Sequence, residues 1–512
     1  MSAFSVIARN IASNWAGFAV HVAVTFFLTP IVVTSLGPIE YGIWVLLMSI
    51  SGYYGLLDAG TSAALTQYYS RYRALGDFRT LNEFASTGFV LLLAFAGVLM
   101  VVTCAVAASI HLFVDLSAAQ LTDVRPALII LGAAMCMQFA FFPFTAAFPA
   151  TQRFDLANVI GISTRILYAI VVAKVLTGGG GLLHLAVIHF AINLLDYISR
   201  MLVAFRILPE LSLSFRLFRR ARVKEILGYG FWNLLIRSSW QVVTYTHALV
   251  IGIFLGPAAI TPFALAASLM DYFLQIFMPI GRVFFPAMAE FDAQGDDEKM
   301  ITYFLNGARF ISLLAFPAIV CVSAFAAPFF ELWIGEESRP ADYPSSAELA
   351  SVLVFSAAVA GIQRVSFQVY FASRRQSHLA KMVFVEACLN LVLSITLIGP
   401  FGLWGVVLGT LVPAVIVQGV WIPRTTCHMY GIRFRTFMIQ VYGRGVIAAA
   451  GTYGAVLAIQ SVIRIHSWGS LIAGSLLALV AVAMVSLLFG LNDNERGKAF
   501  HALKQRLPIA ST

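Results

Sequence analysis

The chain alternates between long apolar segments and short polar ones. Fourteen segments are long enough to cross a bilayer as helices, since a spanning helix needs about 20 mostly apolar residues. They cover residues 11–36, 41–69, 84–111, 126–149, 155–177, 182–206, 228–254, 261–289, 303–330, 347–372, 378–399, 402–423, 443–463 and 467–490. A transmembrane barrel would show shorter segments of alternating hydrophobicity. The pattern therefore predicts an all-α polytopic membrane protein with about 14 spans.

Composition agrees with a membrane protein. The chain is 60% hydrophobic and 11% charged, with a mean hydropathy of +0.87, whereas soluble domains carry about 25% charged residues. The five cysteines are scattered without the spacing of a metal site, so we expect neither metal nor disulfides. No Walker A motif or nucleophile elbow occurs in the sequence. We therefore predict a non-enzymatic protein without a cofactor.

The positions of Lys and Arg predict the orientation. If the N-terminus is cytoplasmic, twenty-three of the 33 Lys and Arg residues fall in cytoplasmic segments and three in outer loops. This excess matches the rule that cytoplasmic loops are basic, so both termini are expected in the cytoplasm. The net charge of +9 then needs no nucleic-acid partner. The expected location is the bacterial plasma membrane, the inner membrane where there are two.

An internal repeat predicts two lobes. A shift of 219 residues aligns Asn14 with Asn233 and Leu36-Gly37-Pro38 with Leu255-Gly256-Pro257. Each copy holds six spans, an even number, so the two lobes should be related by an axis along the membrane normal. The predicted organisation is an N-lobe (1–206), a basic cytoplasmic linker (207–227), a C-lobe (228–424), a cytoplasmic loop (425–442), two extra spans (443–490) and a cytoplasmic tail (491–512).

Charged residues inside the spans are the candidate functional groups. A charge at a helix centre costs roughly 2.5 to 3.5 kcal/mol on insertion scales, and such residues usually face a partner or water. Asp196 and Arg200 are four residues apart and can pair with each other, so a structural ion pair and a ligand site are both open for them. The arginines without an obvious partner are interpreted as lining a polar cavity, with buried structural pairs as the alternative; they are Arg165, Arg237, Arg282 and Arg364.

The seventh span strengthens the cavity interpretation. Asn233, Arg237, Gln241 and Thr244 recur at helical spacing and form one polar face. The first span has a milder polar face with Asn14, His21 and Thr25. A cationic cavity suits an anionic ligand, because the guanidinium fork holds phosphate oxygens and stays charged when desolvated. The sequence thus predicts a substrate site with Arg237, Arg364, Arg282, Arg165, Asn233, Gln241 and His21.

Three acidic residues inside the spans are predicted to balance this charge or to bind a coupling ion, either H⁺ or Na⁺. They are Asp58, Asp271 and Glu386. Asp58 lies in the apolar stretch "GLLDAG", residues 55–60, between two glycines that let a helix bend or approach a neighbour closely. Two interpretations of Asp58 stay open. It faces the cavity, or it is structural, capping backbone groups freed by the bend or pairing with one fixed arginine.

The N-terminal region resembles a known family. Leu36-Gly37, Tyr41-Gly42 and Gly55-Leu-Leu-Asp58-Ala-Gly60 resemble the start of Wzx-type polysaccharide and O-antigen flippases. These belong to the multidrug/oligosaccharidyl-lipid/polysaccharide (MOP) exporter superfamily. The resemblance implies two pseudo-symmetric six-helix lobes in a V, here with two extra C-terminal helices. It also implies alternating access and a lipid-diphosphate-linked glycan as substrate.

The leading functional interpretation is a flippase for an undecaprenyl-diphosphate-linked oligosaccharide. Its expected partners are this lipid-linked glycan, membrane lipid, a polysaccharide polymerase and other assembly proteins. The alternatives in the superfamily are a cation-coupled multidrug antiporter and a lipid II flippase. A membrane polymerase or ligase is the alternative from a different class, but such enzymes usually need a sizeable outer loop, and the outer loops here are short.

Overall fold

The computed structural model describes residues 3–58, 60–228, 231–335 and 342–490, and these residues are almost entirely helical. Contacts divide the chain into two compact units, Met1–Thr261 and Pro262–Thr512. The described ranges contain α-helices, short 3₁₀-helices and two π-helices, with no β-strand. The predicted all-α fold class is therefore confirmed.

The first unit is built from helices α1 to α9. Three-residue 3₁₀-helices cover Ile110–Leu112, Phe215–Leu217 and Pro257–Ala259, and a longer one covers Tyr54–Asp58. The α-helices of the described part are α1 (Ala3–Tyr53), α2 (Thr61–Leu75), α3 (Phe78–Ser109), α4 (Ala118–Thr145), α5 (Ala147–Ala150), α6 (Phe154–Thr177), α7 (Leu182–Ile207), α8 (Arg220–Gly228) and α9 (Phe231–Phe254).

The second unit holds the remaining helices. Helix α10 starts two residues before the boundary between the units, and two π-helical segments, Ala414–Trp421 and Met438–Gly443, interrupt the later spans. The α-helices are α10 (Ile260–Val283), α11 (Phe285–Gln294), α12 (Asp297–Trp333), α13 (Ser346–Ile362), α14 (Arg364–Ala372), α15 (Gln376–Phe401), α16 (Leu403–Pro413), α17 (Ile422–Met429), α18 (Phe434–Phe437), α19 (Arg444–Val462) and α20 (Trp468–Gly490).

Twelve helices of the described part meet the length and hydropathy expected of a membrane span. Two differences explain why the sequence predicts 14 spans and the described part of the structure has twelve such helices. The predicted spans 11–36 and 41–69 meet at a break inside α1, at Gly37 with φ 72° and ψ 171°, and so count as one helix. Helix α9 is 24 residues long but carries the polar face with Arg237 and Gln241, and it is not among the twelve.

The internal repeat is visible in the backbone. Gly37 and Gly256, which the 219-residue shift aligns, have φ/ψ of 72°/171° and 84°/169°. Asp77 and Asp296 both cap the following helix, with φ of −90° in each. The two non-glycine residues with positive φ in the described part are Gln152 and Arg374, at 56° and 55°. These two align once a gap of three residues is added.

The boundary between the two compact units differs from the lobe boundary that the repeat predicts. The repeat places the segment 228–254 at the start of the C-lobe, whereas α9 packs against α1 and falls in the first unit. Small residues of α1 explain this packing, because they let α9 approach closely. The division into compact units does not test the internal repeat of the sequence, so the lobe boundary at 207–227 stays a prediction.

The last two helices pack on α12 in the second unit. Ser312 donates a hydrogen bond to the carbonyl of Val441 at 2.8 Å, and Ser486 donates to the carbonyl of Leu313 at 2.9 Å. Gly445 lies against Ser312 and Phe316, where a side chain would not fit. Helices α19 and α20 therefore bury a face of α12 and pack against each other.

Candidate functional site

The stretch "GLLDAG" forms the junction between α1 and α2. Tyr54–Asp58 is a 3₁₀-helix, and Gly60 has φ 77°, a left-handed conformation that suits glycine. The Asp58 carboxylate accepts hydrogen bonds from the Ser62 backbone N–H at 3.0 Å and from the Ser62 hydroxyl at 2.8 Å. Asp58 thus satisfies a donor in the first turn of α2, which is the capping interpretation. Ala59 lies outside the described residues.

The same side chain also lines a cavity. A volume of about 1100 Å³ lies inside the first unit, between α1, α2, α4, α6, α7 and α9. Asp58 and Ser62 contribute to its wall, so the capping and cavity interpretations of Asp58 are compatible. The other charged and amide side chains on the wall are Arg165, Asp196, Arg200, Arg237, Gln138, Asn193 and Gln241, with His21 and His189 beside them.

Replacing Asp58 by asparagine should separate the two roles. Asparagine keeps a side-chain acceptor for Ser62, so we expect nearly normal stability, whereas Asp58→Ala should cost about 1 kcal/mol as other lost caps do. Gly60→Leu should be more severe, because a left-handed residue with a side chain costs about 1–2 kcal/mol. Thermal denaturation of the purified variants checks the order. An Asp58→Asn variant that is stable but inactive would assign the carboxylate to function rather than to capping.

The predicted pair Asp196–Arg200 forms at the cavity wall. Arg200 Nε donates to Asp196 Oδ2 at 2.6 Å, and one guanidinium nitrogen donates to Oδ1 at 3.3 Å. The Thr164 hydroxyl on α6 adds a hydrogen bond to Asp196 Oδ1 at 3.0 Å. The prediction of an ion pair between positions 196 and 200 is confirmed, and this carboxylate is already satisfied by two partners.

Arg165 and Arg237 differ from Arg200. Neither guanidinium has a carboxylate oxygen within the 4.0 Å of an ion pair among the described residues. Arg237 is close enough to Asp58 for electrostatic attraction. Arg165 is likewise close enough to attract Asp196. Both side chains are exposed and both line the cavity. They are therefore the cations of this cavity that can take an external anion without first losing an ion pair.

The two polar faces predicted from the sequence reach the cavity only in part. On α9, Arg237 and Gln241 line it, Tyr245 joins them, and Thr244 is not on the wall. The side chain of Asn233 lies outside what the structure describes. On α1, His21 and Thr25 line the cavity. Asn14 instead accepts a hydrogen bond from Asn158 of α6 at 2.7 Å.

The other predicted site residues lie in the second unit. Asp271 and Arg282 are exposed on α10. Glu386 is 7% exposed and accepts a hydrogen bond from Gln418 at 2.6 Å, and Arg364 is close enough to attract it. Gly281 lies against Arg364, and its missing side chain makes room for it. The role of these residues as substrate or ion ligands stays a prediction.

Arg364 and Glu386 should be tested together. Glu386 is buried, so removing the positive charge that attracts it leaves this carboxylate uncompensated, which destabilises the fold. We therefore expect Arg364→Ala to lower the melting temperature strongly, and Arg364→Ala/Glu386→Gln to recover most of the loss. Arg282→Ala, at an exposed position, serves as the control. Equal melting temperatures for the single and double variants would contradict this coupling.

Some wall residues were not predicted from the sequence. Asn193 lies with the candidates Asp196 and Arg200 on one face of α7 at helical spacing, a signal as strong as the one on α9. Trp44, Tyr168 and His189 also line the cavity, with ring centroids about 6 Å apart in edge-on contacts. These rings belong to three different helices, so the pattern of apolar residues along the sequence does not predict that they lie close together.

Helix α9 approaches α1 along a row of small residues. A Cβ at Gly52 would overlap the ring of Tyr245, and one at Gly42 would overlap the carbonyl of Pro257. A Cβ at Gly55 would lie 2.6 Å from Nε2 of Gln241. We call Gly42, Gly52 and Gly55 the glycine seam. It brings two wall residues of α9 close to this region, Tyr245 against α1 and Gln241 against the 3₁₀-helix Tyr54–Asp58.

Comparison with known proteins places the chain in a family. A family model described as polysaccharide biosynthesis protein matches residues 32–342, more than half of the chain. The chain belongs to this family. The resemblance drawn from "GLLDAG" and its neighbours is thereby confirmed. The matched residues include the break at Gly37 and those residues of the cavity wall that lie from Val32 onward.

Individual relatives agree with this membership. The membrane protein EpsK of Bacillus subtilis is 22% identical over 95% of this chain and 96% of its own length. A Shigella flexneri protein described as an O-antigen transporter is 18% identical over 83% of this chain and 99% of its own. The structure of the lipid II flippase MurJ, in an inward closed conformation, superposes with a TM-score of 0.68 at 12% identity, covering 94% of this chain and 98% of that one.

These similarities concern the predicted fold and the predicted class of protein. The superposition shows that the family member described here has the fold of that flippase, which is the fold predicted from the resemblance. The Shigella relative is described as a transporter, and the superposed structure is described as a flippase. The chain is a multi-pass membrane protein of polysaccharide biosynthesis.

Proposed function

We propose that the protein is a flippase for an undecaprenyl-diphosphate-linked oligosaccharide, a repeat unit of O-antigen, capsule or exopolysaccharide. It moves this lipid from the inner to the outer leaflet of the bacterial plasma membrane by alternating access. The observation that carries the proposal is the 1100 Å³ cavity with Arg165, Arg200 and Arg237 on its wall, in a chain of the polysaccharide biosynthesis family. The Shigella relative described as an O-antigen transporter supports the substrate class.

The chemistry of the cavity fits a diphosphate. A diphosphate carries several oxygens that two guanidinium forks can hold at once, and such charge-assisted bonds are roughly twice as strong as neutral ones. Arg165 and Arg237 lie on different helices, α6 and α9, so they can contact the anion from two directions. A volume of about 1100 Å³ is at the upper end of small-ligand pockets, which leaves room for sugars.

The charge balance argues against a carrier of organic cations. A cationic drug would need free carboxylates on the wall. Asp58 is hydrogen-bonded to Ser62 and Asp196 is paired with Arg200, so both carboxylates already have partners. The guanidinium groups of Arg165 and Arg237 would repel such a ligand. The antiporter alternative is therefore the weaker one for this cavity.

Deletion of the gene, followed by analysis of lipid-linked sugars, tests the proposal. A flippase deletion should accumulate a complete undecaprenyl-diphosphate-linked repeat unit on the cytoplasmic side, and the wild-type gene should clear it. Accumulation of lipid II instead would indicate a lipid II flippase. A repeat unit that reaches the outer leaflet but is not polymerised would indicate a polymerase or ligase. Unchanged lipid-linked sugars with altered drug tolerance would indicate an antiporter.

Alternating access predicts that a crosslink between the outer ends of the predicted first and seventh spans stops transport. Cysteines at Leu36 and Leu255 should form a disulfide in one state only, since these residues sit beside Gly37 and Gly256, where the repeat starts its second and eighth spans. In a chain whose native cysteines are replaced, oxidation should stop glycan export and reduction should restore it. Export at full rate with complete crosslinking would contradict the mechanism.

A further inference from the structure

The linker between α7 and α9 is fixed to the first unit through its backbone. Asn82 on α3 accepts from the backbone N–H of Ser212 at 2.9 Å and donates to the carbonyl of Glu210 at 2.8 Å. Ser86 and Thr87, on the same helix, accept from the backbone N–H groups of Ser214 and Arg219 at 3.1 Å each. We call residues 208–224 the basic strap. Its position on α3 is set by bonds that do not use its charges.

The strap presents its charges in two directions. Arg222 points back at the unit, where its guanidinium lies 3.4 Å from a carboxylate oxygen of Glu83 and 4.8 Å from the ring centroid of Phe84. Arg219 lies 3.6 Å from the other oxygen of Glu83. The outward group, Arg216, Arg220 and Lys224, is exposed and has no ion-pair partner among the described residues. Three cations are thus displayed on a fixed scaffold.

Exposed aromatic side chains lie among these cations. Phe215 is 72% exposed, and its ring centroid is 6.2 Å from that of Phe89, which lies on the membrane-spanning helix α3. Phe218 is 36% exposed. A large apolar side chain that is exposed beside a span, with basic neighbours, is typical of a segment at the headgroup boundary of a bilayer.

We propose that the basic strap binds anionic phospholipid headgroups of the leaflet that faces it, with Phe215 inserted among the acyl chains. Charge complementarity selects this occupant, because basic juxtamembrane segments are attracted to anionic lipid and aromatic neighbours favour the interface. A second basic segment of the described part carries Arg424, Arg433 and Arg435. In that segment Phe437 is fully buried, and the exposed aromatic side chain near the charges, Trp421 at 40%, is less exposed than Phe215 at 72%.

Quenching of a tryptophan placed in the strap tests the proposal on the full chain. Phe215→Trp is reconstituted in vesicles of phosphatidylcholine that contain either brominated phosphatidylcholine or brominated phosphatidylglycerol. The wild-type chain, with its eight tryptophans, supplies the background to subtract. We expect quenching by both brominated lipids, and an enrichment of phosphatidylglycerol over phosphatidylcholine of about fivefold or more, since each basic residue near a membrane surface contributes about that factor.

The variants make the result specific to the strap. Arg216→Gln/Arg220→Gln/Lys224→Gln should reduce the enrichment to about one while brominated phosphatidylcholine still quenches Trp fluorescence. The matched control Arg424→Gln/Arg433→Gln/Arg435→Gln removes the same charge and should keep the enrichment. Phe218→Trp is a second reporter if Phe215→Trp does not fold. High salt should weaken the enrichment as exposed charges are screened.

Four outcomes would overturn the proposal. The first is no quenching by either brominated lipid, which places the strap outside the bilayer. The second is equal quenching by both lipids, and the third is an equal loss of enrichment in the control triple variant. The fourth is displacement of brominated phosphatidylglycerol by a trace of undecaprenyl phosphate, which would assign the strap to the transported lipid. None of these outcomes depends on whether the protein exports glycan.

Discussion

Replacing Arg237 by alanine is expected to abolish glycan export while the protein still inserts and accumulates. Arg237 lines the cavity and has no ion-pair partner among the residues described, so its loss removes a ligand for the substrate without breaking a structural pair. A hydrogen bond to a charged group is worth about 1.5–3 kcal/mol, which corresponds to a roughly 10- to 150-fold loss of affinity. Arg237→Lys should rescue export only in part, because lysine lacks the planar fork.

The measurement is export of the labelled glycan in a deletion strain that carries each variant at matched protein level. Arg165→Ala should behave like Arg237→Ala, since it shares the cavity and the same lack of an ion pair. Thr244→Ala is the matched control, because Thr244 belongs to the polar face of α9 but is not on the cavity wall. Normal export by both arginine variants would remove the cationic cavity from the mechanism.

Much of the fold can be predicted from the sequence because each span carries its own signal. Burying apolar residues in lipid requires about 20 of them in a helix, so the pattern reveals the helices one at a time. The repeat, too, survives in local features such as the glycines at positions 37 and 256. The predicted spans 11–36 and 41–69 leave residues 37–40 between them, but the helix runs on either side of Gly37 with only this residue out of helical conformation.

The site was less accessible to sequence reasoning because it depends on which helices meet. The polar face of α9 indicates that something polar faces it, but it does not specify that α6 supplies Arg165 and α7 supplies the Asp196–Arg200 pair. Charge alone also grouped Arg364 and Glu386 with the cavity residues. In the structure these two lie in the second unit, where Gln418 from a π-helical segment reaches Glu386.

The glycine seam limits which side chains position 52 can carry. Gly52 lies where a side chain would overlap the ring of Tyr245, and Tyr245 belongs to the cavity wall. Next to it, the hydroxyl of Tyr53 hydrogen-bonds with Thr246, so the two helices are held together at this level. Close helix approach at small residues is a common way of joining helices in membranes. Any side chain at position 52 must therefore displace the ring of Tyr245.

Gly52→Leu is expected to abolish export as completely as Arg237→Ala, but for a steric reason. Leucine displaces the ring of Tyr245 from the cavity wall and strains the packing of α1 against α9 next to the Tyr53–Thr246 contact. The double variant Gly52→Leu/Tyr245→Ala removes the ring that the leucine meets and should recover part of the export. Gly97→Leu is the matched control, because a Cβ at Gly97 meets open space. If Tyr245→Ala does not rescue export while Gly97→Leu stays active, the steric account of the seam is wrong; rescue would show that the distance between α1 and α9 limits transport.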